Sequence, residues 1–238
     1  FVLFLSEYPS GASSIEAELK IGELLYRVKQ YEESKKRLLE FISKEKAPGR
    51  LAKAYFFLAE NFYYLDDYLK ALEYYEKCLV QSVDPDTELY AMYGKAWSYF
   101  KLGEYEEAFK EFERLKSLKQ GKPIMDSVLF GEAESLSKME QFEQSVKSYN
   151  DIIELFPKSK WLVNAYRGKG NALYRMGLYE EALGAFKEGV KNFPSGEYSD
   201  DMLYNLGWIY MKLRRFPEAI DEFTKVAKES ENDFYRIS

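Results

Sequence analysis

The sequence predicts an all-α solenoid of helix pairs, and three observations carry that prediction. A small residue recurs at Gly22, Ala59, Ala96, Ala133, Gly170 and Gly207, every interval being 37 residues. Nine positions after each comes an aromatic ring: Tyr31, Tyr68, Tyr105, Phe142, Tyr179 and Phe216. Three further on a small residue returns as Ser34, Ala71, Ala108, Ser145, Ala182 and Ala219, followed four later by Leu38, Tyr75, Phe112, Tyr149, Phe186 and Phe223. A fixed period of about 20 to 50 residues marks stacked repeats, each unable to bury its apolar face alone.

Each of the six repeats reads as two helices. The spacings of three, four and seven place apolar side chains on one face of a 3.6-residue period, and no strand-like alternation interrupts them. The repeats start near residues 15, 52, 89, 126, 163 and 200. Turn signals such as Leu102-Gly103-Glu104 and Met176-Gly177-Leu178 separate the two helices of a pair. Asp84-Pro85-Asp86 and Gln120-Gly121-Lys122-Pro123 separate one pair from the next, while Pro157 and Pro194 close two repeats. Carboxylates such as Glu104, Glu106 and Glu107 fall at helix starts, where they favour the helix dipole. The small residues let paired backbones approach closely, and the large ring beyond them fills space left at the helix ends. Cys78 lies seven residues after Ala71 and reads as a packed thiol.

The frame also defines the organisation. Residues 11–238 form one continuous array, and residues 1–10 read as the tail of a second helix, because Pro9 precedes Pro157 by four periods. The chain therefore reads as part of a longer protein, and Phe1, Leu3 and Phe4 would be left without their usual helical partner. Self-association is one expected consequence.

Composition removes whole classes of function. The 238 residues include no histidine, so there is no Ser-His or Cys-His nucleophile pair and no imidazole metal ligand. A single cysteine excludes an internal disulfide and any CxxC metal site. With 34 basic and 40 acidic residues the net charge is −6, which argues against a duplex-DNA partner. The opening five apolar residues are too few for a signal peptide or a membrane span. Aromatic residues reach 17%, and that excess needs a structural or functional home.

The residues Leu206-Gly207, Tyr210, Phe216, Ala219 and Phe223, and Gly170, Tyr179-Glu180-Glu181-Ala182, Phe186 and Pro194, resemble the tetratricopeptide repeat over essentially the whole chain. Two features differ from the common version: a period of 37 rather than 34, and no tryptophan at the fourth position, where Glu18, Tyr55, Met92, Leu129, Tyr166 and Leu203 stand. Longer helices or linkers should absorb the three extra residues. The repeat ends around Phe4 to Ser10, Glu154 to Ser159 and Lys191 to Ser195 are similar to those of bacterial envelope members, such as the cell-division coordinator and outer-membrane assembly lipoproteins. That likeness favours the periplasm or envelope, with the cytoplasm as the alternative.

The resemblance implies a right-handed superhelix whose first helices line a concave groove. On that reading the fifth position contributes Phe56, Tyr93, Phe130, Arg167 and Tyr204, and the ninth contributes Trp97, Asn171 and Trp208. The twelfth contributes Tyr63, Phe100 and Tyr174, and the thirteenth supplies a cationic ladder of Arg27, Lys101, Lys138, Arg175 and Lys212. Arg167, Asn171 and Asn205 resemble part of the carboxylate clamp of chaperone-binding members. For each ring the alternative is packing against a neighbouring helix, and for each cation simple solvation. The expected function is a non-enzymatic scaffold that holds a protein or peptide segment, with no cofactor, no nucleic acid and no membrane insertion. A self-assembling structural element, using its open repeat ends, is the alternative.

Overall fold

The computed structural model describes residues 12–229, apart from 83 and 196. The expected helix tail over residues 1–10, and the self-association contact placed on Phe1, Leu3 and Phe4, lie outside the described residues. Among those described, twelve α-helices and one 3-10 turn make up all the regular structure. The chain divides into two compact units, residues 1–123 and 124–238.

The first unit holds α1 (Ala12–Arg27), α2 (Tyr31–Lys44), α3 (Pro48–Tyr64), α4 (Tyr68–Gln81), α5 (Pro85–Leu102) and α6 (Tyr105–Ser117), followed by the 3-10 turn Lys119–Ile124. The second holds α7 (Met125–Lys138), α8 (Phe142–Leu155), α9 (Leu162–Arg175), α10 (Tyr179–Asn192), α11 (Glu197–Lys212) and α12 (Phe216–Glu229). Within each unit a helix packs on the next in sequence, and first helices also touch one another: α1 with α3, α3 with α5, α7 with α9, α9 with α11.

The first helices begin one to four residues earlier than the repeat frame alone suggests. Pro48 and Pro85 occupy the first turns of α3 and α5, where a missing N–H costs nothing. The Asp84 carboxylate accepts from the Thr87 N–H at 3.0 Å and caps α5. The three extra residues are absorbed in both expected ways. In the first unit α3 and α5 run to 17 and 18 residues, whereas in the second α7 and α9 have 14 each. A six-residue connection, 156–161, precedes α9.

Every pair turns over in the same manner. Lys29, Asp66, Gly103, Glu140, Gly177 and Arg214, 37 residues apart, all have positive φ, from 58° to 83°. Each turn residue donates its N–H three residues back, and the residue after it five back, as in Gly103 to Phe100 and Glu104 to Tyr99. This is the Schellman arrangement, which satisfies the last carbonyls of the first helix.

The cores follow the frame, with one change. In the first unit Leu38, Phe41, Leu58, Tyr75 and Cys78 pack with Ala54, Ala59 and Ala71. In the second, Leu183, Phe186, Met202, Leu206 and Ile209 pack with Ala182 and Ala219. The large side chains do not fill helix ends, as expected above; they lie directly over the first small residue. A Cβ on Gly170 would sit 2.6 Å from the Phe186 ring, and one on Gly207 the same distance from Phe223. The two small positions also bond to each other, with the Ser34 hydroxyl donating to the Gly22 carbonyl at 2.8 Å and Ser145 to Ala133 at 2.9 Å. Cys78 is fully buried, and desolvation pushes its thiol up to about 12, far from a reactive thiolate.

Candidate functional site

The candidate residues all project from first helices, so their geometry is set by the packing of α3 and α5 in one unit and of α7, α9 and α11 in the other. In the first unit the rings form a strip of two contact groups, one around α3 and one on α5 and α6. Tyr63 on α3 meets Tyr68 edge to face at 5.4 Å, and Phe100 on α5 meets Tyr105 at 5.3 Å. These contacts join the twelfth position to the first ring of the second helix. Phe56 and Phe57 lie 5.3 Å apart, and Tyr64, half exposed, stacks on Tyr31 at 5.0 Å. Tyr93 and Trp97 are half-buried, and the indole packs edge to face on Phe112 at 5.4 Å.

Beneath this strip lies a group that the sequence reading passed over. Glu60 is half-buried and accepts hydrogen bonds from Tyr26 and Tyr75, both at 2.5 Å, so one carboxylate ties α1, α3 and α4 together. Burial raises its pKa, while the two phenol hydroxyls act in the opposite direction. Desolvation and the adjacent carboxylate raise the pKa of both tyrosines in turn. The same pairing recurs in the second unit, where Tyr149 donates to Glu134 at 2.5 Å. The ninth-position glutamates at an interval of 74, facing tyrosines at the same interval, were the signal available in the sequence.

In the second unit the candidates separate. Phe130 is buried rather than presented: its ring stacks on Trp161 at 4.2 Å, nearly parallel. Trp161 is held there by an Nε1–H bond to the Ser127 hydroxyl at 2.9 Å, and Ser159, which accepts from the Trp161 N–H, donates to Asp126 at 2.6 Å. Trp161 stands 37 residues before Tyr198, whose ring lies 5.0 Å from the Arg167 guanidinium. In both places an aromatic residue at the start of a first helix covers the fifth position of the preceding one. Period arithmetic applied to Trp161 would have revealed this.

Two of the clamp-like trio meet at one carboxylate, and the third stands apart. Arg167 turns to the Asp201 carboxylate at 3.4 Å, and Asn205 donates to the Asp201 backbone carbonyl at 2.8 Å and to its carboxylate at 3.4 Å. Asn171 is exposed instead in an open cavity of about 480 Å³, shared with Arg167, Tyr174, Glu134, Lys138 and Arg175 but not with Asn205. On α11, Tyr204 packs against Trp208 at 6.2 Å, and Trp208 is 44% exposed beside exposed Met211 and Lys212.

Comparison with known proteins matches this architecture. Residues 130–197 and the overlapping 167–234 match the tetratricopeptide repeat, as do residues 90–118 and 52–79. The chain belongs to the tetratricopeptide repeat family. No curated protein sequence matches it. Among solved structures, the apo form of RapI superposes with a TM-score of 0.74 at 14% identity, covering 90% of this chain and 83% of that one. MamA from Desulfovibrio magneticus, residue 41 to its end, gives 0.65 at 19% identity over 77% of this chain and 100% of the other. YrrB, described as a tetratricopeptide repeat protein with an unusual peptide-binding site, gives 0.57 at 21% over 78% and 90%. At these identities the likeness is one of fold.

Tetratricopeptide repeats make this chain a protein–protein interaction scaffold. Among the described residues no helix is long and apolar enough to cross a membrane, and no group of three His, Cys, Asp or Glu side chains could hold a metal ion.

Proposed function

We propose that the scaffold takes a segment of its partner protein on the first-helix faces, with aromatic rings as anchors and lysines selecting acidic neighbours. The observation that carries this reading is the combination on α11: an indole 44% exposed, and Lys212 one helical turn along the same face. Tryptophan and tyrosine supply large, rigid contact area, and an unpaired ammonium at the rim steers association more than it adds affinity. Burying an exposed indole of this kind contributes about 2 kcal/mol or more at an interface. YrrB's peptide-binding site belongs to YrrB; we carry over only the ligand class, a peptide. The chain has no cofactor role in this reading, and its chemistry is recognition rather than catalysis.

Co-purification with the intact protein, followed by repetition with Trp208→Ala and with Trp97→Ala, tests it. A partner held by the parent should be weakened by about 2 kcal/mol or more in each variant, with helicity retained. Undiminished capture by both folded variants would overturn the proposal.

A further inference from the structure

The 37-residue period contains a longer one. Tyr93, Trp97, Lys101 and Phe112 are followed, each after 111 residues, by Tyr204, Trp208, Lys212 and Phe223. The two sets lie in different compact units, one on α5 and α6 and one on α11 and α12. Their geometry repeats as well. The tyrosine–tryptophan centroids are 6.3 and 6.2 Å apart, at 76° and 79°. The tryptophan–phenylalanine centroids are 5.4 and 5.8 Å apart, at 74° and 81°.

Packing alone does not call for this triad. At the ninth position the other repeats have Glu23, Glu60, Glu134 and Asn171, and their helix pairs close without an indole. At the thirteenth position the arginines are ion-paired, Arg27 with Glu23 at 2.9 Å and Arg175 with Glu140 at 3.0 Å. The lysines there, Lys101, Lys138 and Lys212, are exposed and meet no carboxylate among the described residues, and of these only Lys101 and Lys212 stand four residues from a tryptophan. An indole with an uncompensated ammonium one turn along the helix complements an apolar side chain with a nearby carboxylate.

Resting on the scaffold reading above, we infer that each unit carries one copy of the same anchor site, and that the occupant is a short protein segment pairing an apolar side chain with an aspartate or glutamate. The chain then takes two such segments, and a partner bearing the motif twice gains avidity without any new contact.

The test uses the full chain with 5-fluorotryptophan at its three tryptophans, the resonances assigned through Trp97→Phe, Trp161→Phe and Trp208→Phe. The probe is a blocked hexapeptide with one phenylalanine and one glutamate three positions apart. The Trp97 and Trp208 signals should move together, with midpoints within a few-fold of each other, while Trp161, stacked on Phe130, stays still. Lys101→Ala should weaken the response at Trp97 by about two- to fivefold and leave Trp208 alone, and Lys212→Ala the reverse, as expected for one exposed charge pair. Both lysines are solvated, so neither change threatens the fold. Movement at a single indole would overturn the duplication while leaving the groove reading in place. Silence at both up to millimolar peptide would overturn both readings. An equal response to the glutamine version of the peptide would remove the acidic requirement.

Discussion

In the second repeat the slot between paired helices is closed by Tyr75, whose hydroxyl donates to Glu60; in the third the same slot is closed by Phe112, with Trp97 edge to face against it. The backbone is alike in both, yet the chemistry is opposite. The first pair holds a half-buried carboxylate and engages both of its oxygens internally, so it has less to offer a partner. The second needs no polar closure and leaves a half-buried indole on the surface. The difference teaches which positions serve the fold and which are free for recognition. A tyrosine closure also constrains its neighbour, because the Tyr75 ring reaches across to α5 at Gly94, where a Cβ would lie 2.2 Å from Cζ. Tyr149 and Gly168 repeat the arrangement at 2.3 Å.

The largest expected effect breaks that constraint. Gly94→Ala should push the Tyr75 ring off Glu60 and cost about 3 kcal/mol, outweighing the gain in helix propensity of about 1 kcal/mol. In a Tyr75→Leu background, which copies the Leu38 closure of the first repeat, the alanine should cost little or nothing. Urea midpoints compare the two backgrounds. Equal destabilisation in both would mean that the ring does not hold that place.

Exchanging the two closures comes next. Trp97→Glu alone sets a carboxylate against Phe112, which has no hydroxyl to donate. Adding Phe112→Tyr should recover about 1 to 2 kcal/mol, within the range seen for directly coupled pairs. A double-mutant cycle in denaturant gives this coupling, and an additive result would show that the two chemistries are not alternatives.

The fold was legible because the period repeats six times and each small residue marks a helix contact. Gly103 and Gly177 announced their turns, whereas Lys29, Asp66, Glu140 and Arg214 take the same left-handed backbone without announcing it, since the Schellman bonds over-determine them. The candidate site was legible by position but not by exposure. Phe130 and Trp208 occupy face positions alike, yet one is stacked beneath Trp161 and the other open, and that depends on a residue outside the motif. Glycine at an interval of 19 from the ring is not by itself a tyrosine signal, because Gly131 follows Phe112 at that interval. Only the hydroxyl together with its glutamate identifies the polar closure.

Acidity separates the closures by a smaller amount. Glu60 is desolvated, so its folded pKa lies above the ordinary value, despite the hydrogen bonds from Tyr26 and Tyr75 that oppose the shift. The folded chain then holds a proton that the unfolded chain releases. Its contribution is fully present below the unfolded pKa, about 4.3, and is lost as pH rises through the folded value. The carboxyls of Glu23, Glu45 and Asp84 are shifted downward and lose stability on acidification, so the overall profile does not isolate Glu60. The difference between parent and Glu60→Gln does, and it should move in favour of the parent as pH falls, by at most about 1.4 kcal/mol per pH unit. Trp97→Phe, in the repeat without such a group, should give a difference flat in pH. A flat Glu60→Gln difference would mean that the carboxylate is solvated.

The smallest effect lies in the turns that join the paired helices. Asp66 ends the first helix of the tyrosine-closed repeat at φ 60°, and Gly103 ends that of the tryptophan-bearing repeat at φ 83°. Left-handed backbone costs an L-residue about 1 to 2 kcal/mol, less for aspartate, whereas glycine adopts it freely but loses more chain entropy on folding. Gly103→Ala should therefore cost about 1 kcal/mol, and nothing lies within 4 Å of the added methyl to enlarge or offset that figure. Asp66→Gly relieves strain but loses the bond from the Tyr68 hydroxyl and gains unfolded-state entropy, so its net effect should stay within about 0.5 kcal/mol. Thermal midpoints of the two variants measure the contrast directly. Equal losses would mean that the turn conformation is imposed by the helix pair alone, with closure chemistry and turn residue acting independently. A loss at Gly103 alone would show that the glycine is there for its backbone, in a repeat whose side chains are committed elsewhere.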